Sequence, residues 1–248
     1  MSSAGVRRAQ YLEAIGIEQW VRRAARACDS PAAQVVAAPA PGAAEAVAQP
    51  PEVAARWQGL RAEVLGCTKC PLHLTRTQGV LGVGPSRSDW LVIGEAPGAE
   101  EDRRGEPFVG PAGQLLDAML KAIGLDRRSN VYIANVLKSR PPGNRDPKPE
   151  EVAACLPYLE RQIELLQPKI MLAVGRIAAQ NLLDTDAPLG RLRGQVHRFG
   201  ATPLVVTYHP AYLLRTPADK RKAWEDLKFA RTLYQQLTQG PAADGHRA

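Results

Sequence analysis

Cysteine is scarce in this chain of 248 residues, which contains only four. Four cysteines are too few for the disulfide framework of a secreted scaffold, and a CxxC pair in a reducing compartment more often indicates metal or redox chemistry. Long apolar runs are also absent, so the sequence predicts no membrane-spanning segment. The arginines near the first residue are not followed by a continuous apolar stretch, so a secretory signal is not expected. The sequence therefore favours a cytoplasmic protein.

The sequence has no excess of acidic residues and no nucleotide-binding loop motif. The chain has 25 aspartates and glutamates against 32 lysines and arginines, which gives a formal charge of +7. Such an excess favours an anionic partner, because basic side chains that neutralise phosphates release counterions, although many basic surfaces are simply well solvated. No GK[ST] follows the glycine-containing segment 94–110, which argues against a nucleotide cofactor.

Composition divides the chain into four parts. Residues 1–28 form a basic extension, in which 7–27 have the apolar spacing of an amphipathic helix or helix pair. That helix is interpreted as a docking element, with a protein partner as the further possibility. Residues 29–53 are rich in alanine and proline and are predicted to be a disordered linker. The folded domain is expected at 54–238, followed by a disordered tail at 239–248.

Within the folded domain, short apolar runs alternate with amphipathic segments. Four runs read as buried strands: DWLVIGEAPG, NVYIANVLK, IMLAVG and TPLVVTYHP. A helix pattern follows each of them, for example GQLLDAMLKAIGLD after the first. This alternation predicts an α/β fold, a three-layer α/β/α sandwich whose central sheet has four mostly parallel strands.

Functional residues of such sheets collect in loops at the carboxyl ends of the strands. Three loops follow predicted strands with polar side chains: GEAPG with Glu95, NVLKSRPPGNRDP with Asn135 and HPAYLL with His209. The three side chains are expected to converge on one edge of the sheet. An acid, an amide and an imidazole together suit a hydrolytic site around a polar, ring-shaped ligand.

These motifs, together with GEPFVGPAGQLLD and in this order and spacing, resemble the family 4 uracil-DNA glycosylases, the iron-sulfur branch of the uracil-DNA glycosylase superfamily. The resemblance covers residues 66–237. It implies a DNA repair enzyme that hydrolyses the N-glycosidic bond of deoxyuridine, releasing uracil and leaving an abasic site without lyase activity. The implied partner is DNA containing uracil, and a monomer is expected.

The resemblance also assigns roles to individual residues. Glu95 is expected to stabilise the sugar cation or to position water, and His209 to donate to the uracil oxygen where negative charge develops. Asn135 offers a donor and an acceptor to the uracil edge. Phe108 would stack on the flipped base, and backbone amides around Gly94 complete the uracil site.

The HPAYLL loop suggests how the base leaves the duplex. Leu213 and Leu214 are predicted to form a wedge in the base stack; the alternative is that both begin the next helix and face inward. Nearby polar and basic side chains are candidates for phosphate contacts. The predicted DNA-contacting residues are Arg140, Arg145, Tyr212, Leu213, Leu214 and Arg215.

The family pattern predicts a [4Fe-4S] cluster, for which Cys67, Cys70 and Cys155 are candidate ligands. The pattern asks for a fourth cysteine sixteen residues before Cys155, where this chain has Ser139. Four outcomes stay open: coordination by Ser139, a three-iron cluster on three cysteines, recruitment of Cys28, or a labile or absent cluster. The expected one is a cluster held by the three cysteines plus Ser139 or another donor. In each case the metal would be structural.

A second function class stays open beside the enzyme. A metal-stapled nucleic-acid-binding protein with weak or no glycosylase activity would share the fold and the basic surface. The serine at residue 139, where the family pattern has a cysteine, favours this binding protein, because it indicates some decay of the metal site. Intact Glu95, Asn135 and His209 favour the enzyme.

Overall fold

The computed structural model describes residues 50–239. The predictions made for the N-terminal extension 1–28, its helix 7–27, Cys28, most of the 29–53 linker and the tail after Gln239 lie outside the described residues. No helix within 50–239 is long and apolar enough to cross a membrane.

The described residues form an α/β fold. Its strands are β1 (Trp90–Gly94), β2 (Val131–Asn135), β3 (Ile170–Val174), β4 (His197–Phe199) and β5 (Thr202–Thr207). Its α-helices are α1 (Pro51–Leu65), α2 (Ala99–Arg104), α3 (Pro111–Ala122), α4 (Pro149–Leu166), α5 (Arg176–Leu183), α6 (Leu189–Leu192), α7 (Pro210–Arg215) and α8 (Lys220–Gln239). Short 3₁₀ helices lie at Pro71–Leu74, Pro142–Asn144 and Pro217–Asp219.

The sheet has five strands in the order β2-β1-β3-β5-β4, one more than predicted. The four predicted strands are mutually parallel, as expected. The strand that sequence reasoning missed is β4, which pairs antiparallel with β5 at the edge. It has three residues, none of them fully buried, so it leaves no apolar run in the sequence.

Burial on both faces explains why β1, β2 and β3 are continuous apolar runs. Every residue of these three strands is buried. Successive side chains point to opposite faces, so Leu91 and Ile93 join one core cluster while Trp90 and Val92 join the other. Helices therefore cover both faces of the sheet, which confirms the layered architecture.

The folded domain begins slightly earlier than predicted. Helix α1 starts at Pro51, three residues before the predicted boundary at residue 54. Proline was interpreted as linker, but at the first helical position it fits because its fixed φ suits the helix and its missing N–H has no partner there anyway. The helix then buries Leu60 and Val64 completely.

The end of β5 is fixed by a buried ion pair. Arg193 donates to both carboxylate oxygens of Asp226, at 2.7 and 2.8 Å, and Thr207 donates to the same carboxylate at 2.7 Å. The guanidinium carbon of Arg193 also lies 4.5 Å from the ring centre of Tyr208. These contacts join α8 to the last residue of β5, directly before the HPAYLL loop.

Candidate active site

A cleft of about 440 Å³ opens at the carboxyl ends of the parallel strands. Glu95 follows β1, Asn135 ends β2 and His209 follows β5, and all three line this cleft together with Phe108. The convergence predicted from the strand-end rule is therefore confirmed. The predicted residues Arg145, Tyr212 and Arg215 also line the cleft, whereas Arg140, Leu213 and Leu214 do not.

Asn135 forms the floor of the cleft. It pairs with Gly94 at the last register position of β1 and β2 and is 2% exposed. Its side-chain Oδ1 is buried and has no hydrogen-bond partner within the described residues. A buried acceptor without a partner is costly in a native protein, so this oxygen is poised for a donor on a ligand.

Gly94 makes the close packing around Asn135 possible. A Cβ at this position would lie 2.4 Å from Asn135 Oδ1 and 2.6 Å from Phe108 Cζ. Both distances are shorter than nonbonded atoms tolerate, so any side chain at residue 94 would push the amide or the ring away. The glycine of GEAPG is thus needed for the shape of the floor.

Phe108 is held in an unusual backbone conformation. Its φ of +55° lies in the left-handed region, which side chains other than glycine rarely adopt. Glu101 Oε1 accepts hydrogen bonds from the next two amides, Val109 at 3.0 Å and Gly110 at 3.3 Å. Arg127 donates to the Phe108 carbonyl at 2.9 Å. These contacts fix the ring, whose centre lies 5.6 Å from that of His209.

His209 is oriented by its own loop. Its Nδ1 accepts a hydrogen bond from the Ala211 amide at 3.1 Å, so in the neutral ring the proton is on Nε2. Burial lowers the pKa of His209 to about 4, and the nearby Arg215 charge acts in the same direction. The imidazole is therefore neutral at pH 7 and offers one N–H donor.

The pKa of Glu95 shifts in the opposite direction to that of His209. Burial raises its pKa to about 7, and the Asp146 carboxylate adds to the rise, while Arg176 opposes it. Arg176 is paired with Asp146 at 2.9 Å, so part of its charge is already neutralised. Glu95 therefore changes protonation near neutral pH, which is where an acid or base catalyst is effective.

The HPAYLL loop does not present two leucines to solvent. Leu213 lies in α7, is 1% exposed and packs in the core, so the prediction that it acts as a wedge is wrong. Leu214, one residue on, is 45% exposed. Successive side chains of a helix point about 100° apart, so one leucine can be buried while the next is exposed. Both interpretations of the sequence treated the two leucines as a pair. Only Leu214 remains available as a wedge.

Among the predicted phosphate contacts, Arg215 has a free charge. It lines the cleft, is exposed and makes no ion pair with any residue in 50–239. Arg140 donates to Asn144 at 2.7 Å. Arg145 binds the carboxylate of Glu151 through two hydrogen bonds of 2.8 and 2.5 Å, so its charge is already neutralised and it braces the loop instead.

Tyr212 is also held in place. Its hydroxyl donates to Asp219 at 2.6 Å, and its ring stacks on Tyr208 with centres 5.3 Å apart. The Tyr208 ring in turn lies under Arg193, which the buried pair with Asp226 holds. The loop that carries His209 therefore rests on a chain of packed rings and charges.

Sequence reasoning missed three charged residues near the cleft: Glu101, Asp146 and Arg176. Arg176 begins α5 just after β3, so the strand-end rule could have found it. Asp146 lies in the NRDP segment beside the predicted Arg145. No comparable signal was available for Glu101, because its role depends on the helix α2, which the sequence pattern did not predict.

Lys138 is a further residue that the sequence did not reveal. Its side chain is fully buried, and its Nζ donates to the Asn135 carbonyl at 2.6 Å and to Gln162 Oε1 at 2.5 Å. Burial lowers the pKa of Lys138 to about 7. The lysine thus fixes the strand end that carries Asn135.

The predicted metal ligands lie on one side of this strand end. Cys70 and Cys155 are buried and Cys67 is half-buried. The Lys138 backbone amide donates to Cys155 Sγ at 3.5 Å, and burial raises the pKa of Cys155, with a smaller rise from Cys70 and Cys67. Within residues 50–239, no three His, Cys, Asp or Glu side chains converge to hold a single metal ion.

Comparison with known proteins decides the family. The sequence model described as the uracil DNA glycosylase superfamily matches residues 81–228, which include every strand and the whole cleft. The chain belongs to the uracil-DNA glycosylase superfamily. The five-stranded α/β sheet with its cleft at the strand ends is thus the superfamily fold of this chain.

Relatives within the superfamily cover most of the chain. It is 48% identical to the type-4 uracil-DNA glycosylase of Archaeoglobus fulgidus over 174 residues, 67% of this chain and 87% of the relative. It is 44% identical to the type-4 uracil-DNA glycosylase of Pyrobaculum aerophilum, over 68% of this chain and 90% of the relative. It is 43% identical to that of Thermotoga maritima, over 67% and 88% respectively.

The substitution Gly113→Ala tests the close packing of residue 113 against the Phe108 loop. A Cβ at residue 113 would lie 1.7 Å from the Phe108 carbonyl oxygen, so Gly113→Ala must displace the loop. We expect it to lower the free energy of unfolding in urea by about 1–3 kcal/mol. Gly190→Ala is the matched control, since nothing lies within 4 Å of its added Cβ. Equal stability of the two variants would contradict the described loop.

Proposed function

We propose that this protein hydrolyses the N-glycosidic bond of deoxyuridine in DNA, releasing uracil and leaving an abasic site. The observation that carries the proposal is the cleft in which an unpartnered Asn135 oxygen, a neutral imidazole and a half-buried carboxyl meet. The type-4 relatives are named for the same activity. A nucleic-acid-binding protein without turnover is not favoured, because the cleft retains all three groups.

Uracil recognition follows from the floor of the cleft. Asn135 Oδ1 would accept from uracil N3–H, and its amide nitrogen would donate to O4. Phe108, fixed by Glu101, would stack on the ring of the flipped base. A flipped base is required because the reacting bond is not accessible within the duplex.

Catalysis follows from the two shifted groups. Cleavage of the bond leaves positive charge on the sugar and negative charge on uracil. His209 Nε2–H would donate to uracil O2 as this charge develops, without transferring its proton. Glu95, when ionised, would stabilise the sugar cation and position the attacking water. No lysine is needed as a nucleophile, so strand cleavage by lyase chemistry is not part of the proposal.

The cysteines support a structural role for a metal. We propose that Cys67, Cys70 and Cys155 hold an iron-sulfur cluster. Each thiolate of a cluster binds a different iron, so its ligands need not converge on one point as they do around a single ion. The hydrogen bond that the Lys138 backbone amide donates to Cys155 Sγ suits a ligating sulfur. Such a cluster would hold loop 66–77 against the loop after β2 and take no part in bond cleavage.

Glu95 gives the most direct test of the activity. Because the active form is the carboxylate, uracil release should rise with pH through about 7 and fall about tenfold from pH 8 to pH 6. Glu95→Gln should lower single-turnover release by about 10²–10⁴-fold and flatten the pH profile. Release is measured on a uracil-containing oligonucleotide cleaved with alkali.

The matched control is Glu100→Gln, because Glu100 is an exposed carboxylate on α2 that pairs with Arg103. It should leave uracil release unchanged. Absence of release by the wild type, or equal release by wild type and Glu95→Gln, would overturn the proposal.

Leu214 tests the remaining part of the wedge. We propose that its exposed side chain enters the base stack and offsets the few kcal/mol that flipping costs. Leu214→Ala should reduce excision of uracil from duplex DNA by about tenfold and affect single-stranded DNA much less. Leu237→Ala is the control, since that residue is 44% exposed and lies near the end of α8. An equal loss on both substrates would argue against a wedge.

A further inference from the structure

Arg76 joins three separate parts of the domain through its guanidinium. It donates to the carbonyls of Leu65 at 2.9 Å and Cys67 at 2.8 Å, with a longer bond of 3.3 Å to Val64. It also donates to the hydroxyl of Ser139 at 2.7 Å. One side chain therefore connects the end of α1, the CTKC segment (residues 67–70) and the loop that follows β2.

The contacts with α1 satisfy groups that the helix itself leaves unpaired. The last carbonyls of a helix have no partner within it, and the negative end of the helix dipole favours a cation there. Val64 and Leu65 are the last two residues of α1. Arg76 therefore caps this helix and holds the start of the CTKC segment at the same time.

Ser139 is the one contact in this set that lies in the loop after β2. It is 4% exposed, and its hydroxyl accepts from Arg76. It follows Lys138, whose backbone amide binds Cys155 Sγ. Ser139 thus lies beside the cysteine site, with its oxygen directed to a fixed positive charge.

We propose that Arg76 and Ser139 form a clasp that joins these loops without metal, and that Ser139 is not a metal ligand in this protein. A cluster here would have Cys67, Cys70 and Cys155 as its protein ligands, a statement that rests on the cluster proposed above. The clasp itself depends only on the hydrogen bonds of Arg76.

The chemistry of the donor set supports this assignment. An alkoxide is a harder ligand than a thiolate and suits iron-sulfur clusters less well. A serine hydroxyl bound to a guanidinium already has a strong, charge-assisted partner that coordination would have to replace. A cysteine at residue 139 would accept a weaker hydrogen bond from Arg76, because sulfur is a weak acceptor. The serine hydroxyl is therefore the better partner for the guanidinium.

Arginine is specifically suited to the clasp. Its planar group presents several N–H donors in a fixed arrangement and can reach four acceptors at once. Lysine has a compact ammonium with three donors on a flexible stem. Arg76→Lys is therefore expected to weaken the clasp, but less than Arg76→Met does.

Hydrogen exchange of the full-length protein tests the clasp. The amides of residues 67–77 should keep their protection in the wild type after iron is removed with a chelator. In the chelated protein, Arg76→Met should lower that protection about tenfold or more, and Ser139→Ala should lower it less. Arg61→Met, an exposed arginine on α1, is the control and should change nothing. Loss of protection in the chelated wild type equal to that of Arg76→Met would overturn the clasp.

Metal content of the same variants tests the role of Ser139. Ser139→Ala should keep iron and acid-labile sulfide per chain at the wild-type level, whereas Cys155→Ala should lower both several-fold. If Ser139→Ala loses as much iron as Cys155→Ala, Ser139 is a ligand and the inference is wrong. Neither measurement uses uracil release, so failure of the clasp and failure of the proposed activity are distinguished.

Discussion

The close approach of β1 and β2 at their carboxyl ends is the constraint on which the site depends. These strands end in register at Gly94 and Asn135, and the missing side chain at Gly94 leaves room for the Asn135 amide and the Phe108 ring. The amide then has a buried oxygen without a partner in the described residues. The fold thus supplies a polar floor shaped by backbone geometry, and the loops add the reacting groups around it.

Burial acts on the two titratable groups of the cleft in opposite directions. It disfavours charge, so it raises the pKa of Glu95 to about 7 and lowers that of His209 to about 4. Two groups with separated pKa values can work together at neutral pH, one as a carboxylate and one as a neutral donor. The surrounding charges adjust these values, but the desolvated cleft sets them.

The sequence allowed the fold class and the centre of the site to be predicted because both depend on local patterns. Apolar runs of about five residues revealed four strands, and polar residues directly after those runs revealed Glu95, Asn135 and His209. Predictions failed where tertiary packing decides. Leu213 and Leu214 have the same side chain, and only the orientation of α7 separates a core residue from an exposed one. Arg145 is held by Glu151, and Arg76 by carbonyls, which no sequence pattern shows.

The floor that Gly94 makes possible is, in this interpretation, shaped for a flipped uracil. Gly94→Ala examines this floor by itself, because the added methyl group would displace the Asn135 amide and the Phe108 ring without changing any charge. Single-turnover uracil release and binding of the same oligonucleotide should be measured together. We expect release to fall by at least about 100-fold while DNA binding changes less than about threefold. Release within a few-fold of the wild type would contradict this interpretation.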